Sequence, residues 1–265
     1  MFNNKLSVVI SCYVRVLMIL LVLALPQYAC ADIAEMVKSH LSPDGKTLDL
    51  SGEKIGPQGA AELATMDFLS GVVSINLQGN GIKPDGLAAL GNSKYLGNLK
   101  NLDLWGNLLG DEGVMALVNS SLKNLEMLKL WKNEIGDDGI RLMAESNNFL
   151  HLRTLLLNDN LLSAEGAALL ARSVNFPKLV TLSLFRNEIG DEGAVALAEA
   201  KKIPNLEQLY LGQNMITYVG AVALIRTKSF PKLKLLELPQ NQLGQDTIKA
   251  MIKYNKDGRI QIITR

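Results

Sequence analysis

The residues best suited to chemistry are few in this 265-residue chain. Its two cysteines, Cys12 and Cys30, lie near the amino terminus, and its two histidines, His40 and His151, are widely separated. No GxxxxGK, GxSxG or HExxH motif is present, so nothing resembles a phosphate-binding loop, a nucleophile beside its base, or a zinc protease site. We therefore predict that the protein is not an enzyme and binds no metal or cofactor.

Asparagine is the polar residue whose spacing is most regular. It recurs every 26 or 27 residues, at Asn80, Asn107, Asn133, Asn160, Asn187, Asn214 and Asn241. A row of amides could be functional, but a buried side-chain amide in a turn bonds neighbouring backbone groups and locks one coil to the next. We predict that these asparagines are structural.

Acidic turns return with the same period. Asp111, Asp137 and Asp191 lie in GDEG or GDDG segments just before Ala-rich stretches. These segments lack the alternating oxygen ligands and the distant glutamate of a calcium loop. We expect each aspartate to be the N-cap of the helix that it begins, in a solvated turn.

A repeated line of sequence must position all of these residues. LxxLxLxxNxIGxxG begins at Leu99 and returns in later units, and positions are counted below from its first leucine. Positions 4 and 6 are apolar throughout, which predicts a strand with one buried face. The second half of each unit predicts a short helix, and glycine at position 15 is expected to let helix and strand backbones approach closely.

Positions 3, 5, 7 and 8 are predicted to face outward from the strands. Both tryptophans, Trp105 and Trp131, occupy position 7 of consecutive units. Aromatics ringed by charge are typical of binding hot spots, although these could simply pack on one another to shield the sheet. The predicted partner-binding residues are Trp105, Trp131, Phe185, Tyr210, Asp103, Lys129, Lys132, Leu156, Asp159 and Arg186.

The repeats resemble the leucine-rich repeat superfamily, and the 27-residue period with NxIGxxGxxxL looks like its ribonuclease-inhibitor-like class. The resemblance covers about Thr47 to Thr264. It implies an α/β solenoid of about eight repeats, a horseshoe with parallel strands on the concave face and helices on the convex face. It also implies a protein-binding surface, since the class includes enzyme inhibitors, immune sensor modules, GTPase activators and bacterial effectors.

The amino-terminal segment has the parts of a secretory signal peptide. Basic residues precede an apolar run from Val16 to Leu25, and cleavage is expected after Ala31. An uncleaved anchor or a lipid-modified Cys30 are the alternatives. We predict a signal peptide at residues 1–31, a cap helix and turn at 32–46, and repeats at 47–265 of a secreted or periplasmic protein. Secreted bacterial proteins with leucine-rich repeats similarly combine an export signal with such repeats.

The charge composition restricts the classes of partner that we expect. With 27 Lys and Arg against 26 Asp and Glu, the chain shows no basic stripe for nucleic acid and no acidic tail. We expect a monomer that binds a protein partner through its concave face. The alternatives are a regulator of a partner enzyme, such as an inhibitor or a GTPase activator that uses Arg186 or Lys132, and a structural envelope protein.

Overall fold

A computed structural model describes residues 33–265 of the chain. The predicted signal peptide, both cysteines and Asp32 lie outside these residues. Over residues 33–265, no helix has the length and apolar character needed to cross a bilayer.

The strands of the described residues form one parallel sheet in chain order. Each strand pairs with the next in the same register, so position 4 of one unit lies beside position 4 of its neighbour, as Leu102 does beside Leu128. The strands are β1 (Thr47–Asp49), β2 (Ser74–Asn76), β3 (Asn101–Asp103), β4 (Met127–Lys129), β5 (Thr154–Leu156), β6 (Thr181–Ser183), β7 (Gln208–Tyr210), β8 (Leu235–Glu237) and β9 (Gln261–Ile263).

A helix separates each strand from the next, and consecutive helices pack side by side. The helices are α1 (33–39), α2 (Gly56–Leu63), α3 (Lys83–Gly91), α4 (Gly110–Val118), α5 (Asp137–Glu145), α6 (Ala164–Arg172), α7 (Gly190–Ala198), α8 (Tyr218–Arg226) and α9 (Gln245–Tyr254). Sheet and helices form the two layers of an α/β solenoid, which confirms the predicted fold class.

The core lies between the two layers. Alternation along each strand buries positions 4 and 6, as at Leu102 and Leu104, which are 2% and 0% exposed. A further buried row precedes each strand and is not contained in the repeated line; it includes Phe149 and Phe176, whose ring centroids lie 6.3 Å apart. At the amino-terminal end, α1 covers the first repeat with Val37 fully buried.

The position-15 glycines make a different contact from the one expected. A Cβ on Gly86 would lie 2.9 Å from the Cα of Pro57, and one on Gly193 would lie 3.0 Å from the Cα of Ala164. Both contacts are with the helix of the preceding repeat, whereas the sequence suggested a close approach of helix and strand. The missing side chain therefore sets the spacing between neighbouring helices.

Each repeated asparagine bonds its own repeat and the one before it. The side-chain carbonyl of Asn107 accepts the backbone N–H groups of Asn80 at 3.1 Å and Ile82 at 3.2 Å. Its amide donates to the backbone carbonyls of Leu77 and Leu104, both at 2.9 Å. Because Asn107 is 0% exposed, its hydrogen bonds replace water for backbone groups that would otherwise be buried unpaired.

The expectation that the turn aspartates cap their own helices is wrong. Helix α7 has Ile189 at its N-cap with no side-chain cap, and Asp191 lies inside the first turn. Its carboxylate instead accepts the backbone N–H groups of Thr217 at 2.8 Å and Gly220 at 2.9 Å, at the start of the next repeat's helix. A residue one step inside the helix lies too far along it to cap it, but its side chain reaches the neighbouring helix.

The same bridge occurs at the other two aspartates. Asp111 accepts the N–H of Gly136 at 2.8 Å, and Asp137 accepts the N–H of Ser163 at 3.0 Å. All three carboxylates are half-buried, so these turns are not merely solvated. Burial alone would raise the pKa of Asp191, but hydrogen bonds from the Thr217 hydroxyl and from the N–H groups of Thr217 and Gly220 outweigh it and lower that pKa.

Candidate functional site

The residue at position 8 has a left-handed backbone conformation, which aligns the outward-facing side chains of neighbouring repeats. The backbone φ is +54° at Lys132, +52° at Asp159 and +58° at Arg186, and glycine takes the same conformation at Gly106. Neighbouring repeats still bond through this position, since the N–H of Gly106 donates to the carbonyl of Trp131 at 2.9 Å. Every repeat therefore turns at the same place, which keeps the position-7 side chains in one row on the concave face.

Trp105 and Trp131 stack within this row. Their ring centroids lie 4.8 Å apart with the ring planes inclined by 14°, and both side chains are half-buried. An offset or stacked aromatic pair gains roughly 0.5–1.5 kcal/mol beyond its buried area. The pair thus forms a rigid aromatic surface whose outer part remains in water.

Phe185 belongs to a second patch, because Asn158 occupies position 7 between it and the tryptophans. Its ring lies against Gly212: a Cβ there would lie 2.7 Å from two ring carbons of Phe185 and 2.9 Å from Cγ of Pro239. Glycine at this position therefore makes room for the phenylalanine ring. The Asn158 side-chain oxygen between the two patches is buried and has no partner among the described residues.

Position 5 carries polar and apolar residues beside these patches. Lys129 Nζ pairs with Asp103 Oδ2 at 2.9 Å, and the Asp103 side chain is only 15% exposed. Leu156 and Tyr210 are half-buried on either side of Ser183, which is 4% exposed. Burial, together with the charge of Glu237, raises the pKa of the Tyr210 phenol, so this hydroxyl is neutral at physiological pH.

Position 8 places three charged residues on the rim above the strands. Arg186 Nη1 lies 3.5 Å from Asp159 Oδ2, and the Arg186 side chain is 64% exposed, so the pair is weak. Lys132 is exposed next to the stacked tryptophans. The structure thus places the predicted residues on one face but divides the aromatics into the Trp105–Trp131 stack and the Phe185–Tyr210 region.

A groove beside the tryptophan stack contains two residues that the sequence prediction missed. It has a volume of about 510 Å³ and is lined by Trp105, Lys132 and Asp159 together with Leu108 and Leu161. Leu108 is 56% exposed and Leu161 is 64% exposed. Both lie at position 10, one place before the apolar position 11.

A signal for these leucines is present in the sequence. Position 10 is glycine or polar at Gly81, Glu134, Glu188 and Gln242 and apolar at Leu108, Leu161 and Met215, and the units of Leu108 and Leu161 are the first unit of the tryptophan pair and the unit that follows the second. Exposed leucines beside a half-buried aromatic pair form a continuous apolar surface rimmed by charge. Such a surface can bind, but it contains no nucleophile with a base, and over residues 33–265 no cluster of His, Cys, Asp and Glu could hold a metal ion.

Comparison with known proteins identifies the same kind of repeat that the sequence pattern indicates. The sequence model of the family described as Leucine Rich repeat matches residues 72–91, 98–118 and 177–198. A comparison with curated protein sequences finds no match. Among solved structures, 163 chains match. An internalin C2 from Listeria monocytogenes is 20% identical with a TM-score of 0.60, over 88% of this chain and 92% of that one.

Two further solved structures are less similar. An internalin, inlF, from Listeria monocytogenes is 21% identical with a TM-score of 0.46, over 83% of this chain and 66% of that one. The Arabidopsis receptor kinase HAESA, solved with the peptide hormone IDA and the co-receptor SERK1, is 19% identical with a TM-score of 0.49, over 89% of this chain and 41% of that one. At these identities the likeness concerns the fold.

Proposed function

Since this chain is a leucine-rich repeat protein, we propose that it is a non-enzymatic module that binds a folded protein partner through its concave face. The observation that carries the proposal is the tryptophan stack with its groove. Tryptophan anchors beside desolvated pockets supply most of the energy at protein interfaces. An apolar centre with a polar rim is the usual anatomy of such an interface.

Packing alone does not account for this surface. If Trp105 and Trp131 only shielded the sheet, residues around them would be expected to be polar where they meet water. Instead Leu108 and Leu161 expose more than half of their surface beside the stack. Covering these two leucines with a partner would gain about 25 cal/mol for each Å² of apolar surface removed from water.

The surrounding charges favour specificity over raw affinity. The Asp103–Lys129 pair is preformed, so it would fix the register of a partner without a large ordering cost. Arg186 is mostly exposed, so it remains available to a carboxylate on a partner.

We also propose that the protein is exported and works outside the cytoplasm. The support is the predicted signal peptide at residues 1–31. Intact-mass measurement of the exported protein tests this, because cleavage after Ala31 makes Asp32 the amino-terminal residue. A mass that retains residues 1–31 would favour the membrane-anchored alternative.

Site-specific photocrosslinking tests the binding face. A photoreactive residue in place of Leu161 is expected to crosslink a protein from the extracellular or host fraction, and the same residue in place of Met115 is not. Met115 is a matched control because it is 49% exposed but lies on helix α4, away from the sheet. Equal labelling from both sites would count against the concave face.

Truncation of the two tryptophans then measures their contribution to the binding free energy. With the crosslinked partner purified, Trp105→Ala or Trp131→Ala should each weaken binding by at least ~2 kcal/mol. Circular dichroism must show that each variant retains its fold. Unchanged affinity in both folded variants would refute the proposal.

A further inference from the structure

Position 10, which follows the repeated asparagine, forms a row along one edge of the concave face. In five consecutive units it alternates between apolar and acidic side chains, at Leu108, Glu134, Leu161, Glu188 and Met215. We define these five residues as the alternating row. Equivalent residues of consecutive units lie side by side, because neighbouring strands pair in the same register. The first three members line the groove beside the tryptophan stack.

The fold does not account for the apolar members of the row. Leu108, Leu161 and Met215 are 56%, 64% and 50% exposed. At Leu108 and Met215 the backbone φ is +56° and +57°, the left-handed conformation that Gly81 adopts at +64° in an earlier unit. This conformation is rare for a bulky side chain and costs it about 1–2 kcal/mol. These side chains therefore gain little from burial, and the backbone disfavours two of them.

The acidic members of the row also have no partner in the fold. Glu134 and Glu188 are exposed, and no ion pair among residues 33–265 involves either carboxylate. Acidic residues in the first turn of a helix are explained by the helix dipole. Glu134 and Glu188, however, precede their helices, which begin at Asp137 and Gly190. Both charges are thus available to another molecule.

The turns around the row add to its negative potential. Ten acidic and two basic residues lie in four of these turns, at residues 106–112, 132–138, 159–165 and 186–192. Of the two bases, Arg186 lies 3.5 Å from Asp159, and Lys132 makes no ion pair among residues 33–265. Arg141 in α5 pairs with Glu165 at 2.6 Å. The acids therefore outnumber the nearby cations, and a potential of this sign attracts a basic partner.

The spacing of the row matches an α-helix that lies along the array. Neighbouring strands lie about 4.8 Å apart, so every second member of the row recurs after about 10 Å. Seven residues of an α-helix rise about 10.5 Å, and residues i, i+3, i+4 and i+7 share one face. In an extended segment, side chains on one face recur about every 6.8 Å, which does not match. A helix can therefore contact all five members, whereas an extended segment cannot.

We propose that the alternating row binds a basic amphipathic helix of the partner protein. Apolar side chains at every seventh residue of that helix contact Leu108, Leu161 and Met215. Lysine or arginine side chains midway between them pair with Glu134 and Glu188. This inference rests on the proposed function, and it specifies the chemistry of the partner at the same face.

A designed peptide tests this chemistry. The sequence LAQKAAQLAQKAAQL repeats the required spacing, and a hydrocarbon staple on its outer face keeps so short a segment helical. Trp105 and Trp131 are the only tryptophans of the chain, so intrinsic fluorescence reports binding beside their stack. Titrated into the exported chain, the peptide should bind saturably. A peptide with glutamate in place of lysine, or one of the same composition in scrambled order, should bind at least about tenfold more weakly.

Two pairs of charge changes separate the row from the general negative potential. Glu134→Gln with Glu188→Gln should weaken peptide binding by at least about tenfold. Glu112→Gln with Glu192→Gln is the matched control, because it removes two exposed carboxylates from the first turns of α4 and α7. Charges outside the contact are screened by salt, so the control should change the affinity by less than about twofold. Equal weakening by both pairs would overturn the assignment to the row.

A third pair of changes separates binding from stability. Leu108→Asn with Met215→Asn removes two apolar contacts, and asparagine tolerates the left-handed conformation. Peptide binding should fall by at least about tenfold, while the free energy of unfolding should change by no more than about 1 kcal/mol. Unchanged binding together with a larger loss of stability would assign these side chains to the fold and would overturn the proposal.

Competition distinguishes this inference from the proposed function. The stapled peptide should block photocrosslinking of the partner through Leu161. A partner that crosslinks there and is not displaced would overturn the basic helix but leave the proposed function standing. Equal labelling from Leu161 and Met115 would instead count against the concave face itself. A dimer in sedimentation equilibrium that Leu161→Asn dissociates would assign the row to a second copy of the chain and overturn the proposal.

Discussion

The bridge from Asp191 to the next repeat gives the most direct stability test. Asp191→Ala removes the acceptor of the Thr217 and Gly220 N–H groups and of the Thr217 hydroxyl. Hydrogen bonds to a charged group contribute about 1.5–3 kcal/mol each, but here the carboxylate is half-buried and water can partly replace it. We therefore expect a total loss of about 2–3 kcal/mol in the free energy of unfolding.

Glu192 provides a control at the adjacent residue. It lies in the same first turn of α7 and shares the favourable helix dipole, but it is exposed and makes no hydrogen bond in the described structure. Glu192→Ala should change the free energy of unfolding by no more than about 0.5 kcal/mol. Urea unfolding followed by circular dichroism measures both variants. Equal losses of unfolding free energy in the two variants would show that the hydrogen bonds of Asp191 contribute nothing beyond the interaction of an acidic residue with the helix dipole.

The pH dependence supplies a second check on the same variant. The folded-state pKa of Asp191 lies below its ordinary value of 3.8, so its stabilisation is complete above that value. It is lost as the pH falls through the folded-state pKa, where the folded protein also takes up the proton. The difference between the native protein and Asp191→Ala should therefore be constant at neutral pH and narrow below 3.8. A difference that grows in acid would refute the assignment.

Three further changes test other contacts by the same unfolding measurement. Asn133→Ala leaves buried backbone groups of two repeats unpaired and should cost about 3 kcal/mol, and a cost near zero would contradict the bonding role. The double-mutant cycle of Trp105→Ala and Trp131→Ala should give a coupling of about 0.5–1.5 kcal/mol, whereas strict additivity would argue against stacking in solution. Gly166→Ala drives a methyl group into the preceding repeat's aspartate and should cost about 1–3 kcal/mol, while Gly97→Ala, in open space, should be neutral.

The fold could be predicted from the sequence because the same pattern of apolar residues occurs in every repeat. Each strand is only three residues long, too short for a reliable prediction by itself. Leucine at positions 4 and 6 of every unit nevertheless gives the strand, its buried face and its register. The row containing Phe149 was missed because it lies outside the repeated line and varies between leucine, isoleucine and phenylalanine.

Contacts between repeats were harder to predict than those within one. Asp191 was expected to cap its own helix because sequence proximity suggests a local partner, yet its partner Thr217 is 26 residues away. The position-15 glycines were misassigned for the same reason. In both cases the next unit, placed alongside by the solenoid, is nearer in space than the chain neighbours are.

The residues of the candidate face were predicted from their positions in the repeat, but the packing of their side chains could not be predicted in this way. Trp105 and Trp131 share a position, so their stacking follows from the register of β3 and β4. The gap at Asn158, and the exposure of Leu108 and Leu161, depend on which neighbouring side chains are large enough to cover them.

The direction of the asparagine bonds has a consequence for synthesis. The carbonyl of each asparagine accepts N–H groups of the repeat before it, as Asn107 does from Asn80 and Ile82. A repeat emerging from the ribosome therefore cannot complete its own buried turn until the asparagine of its successor arrives, 26 or 27 residues later. Each repeat is thus completed only when its successor is in place.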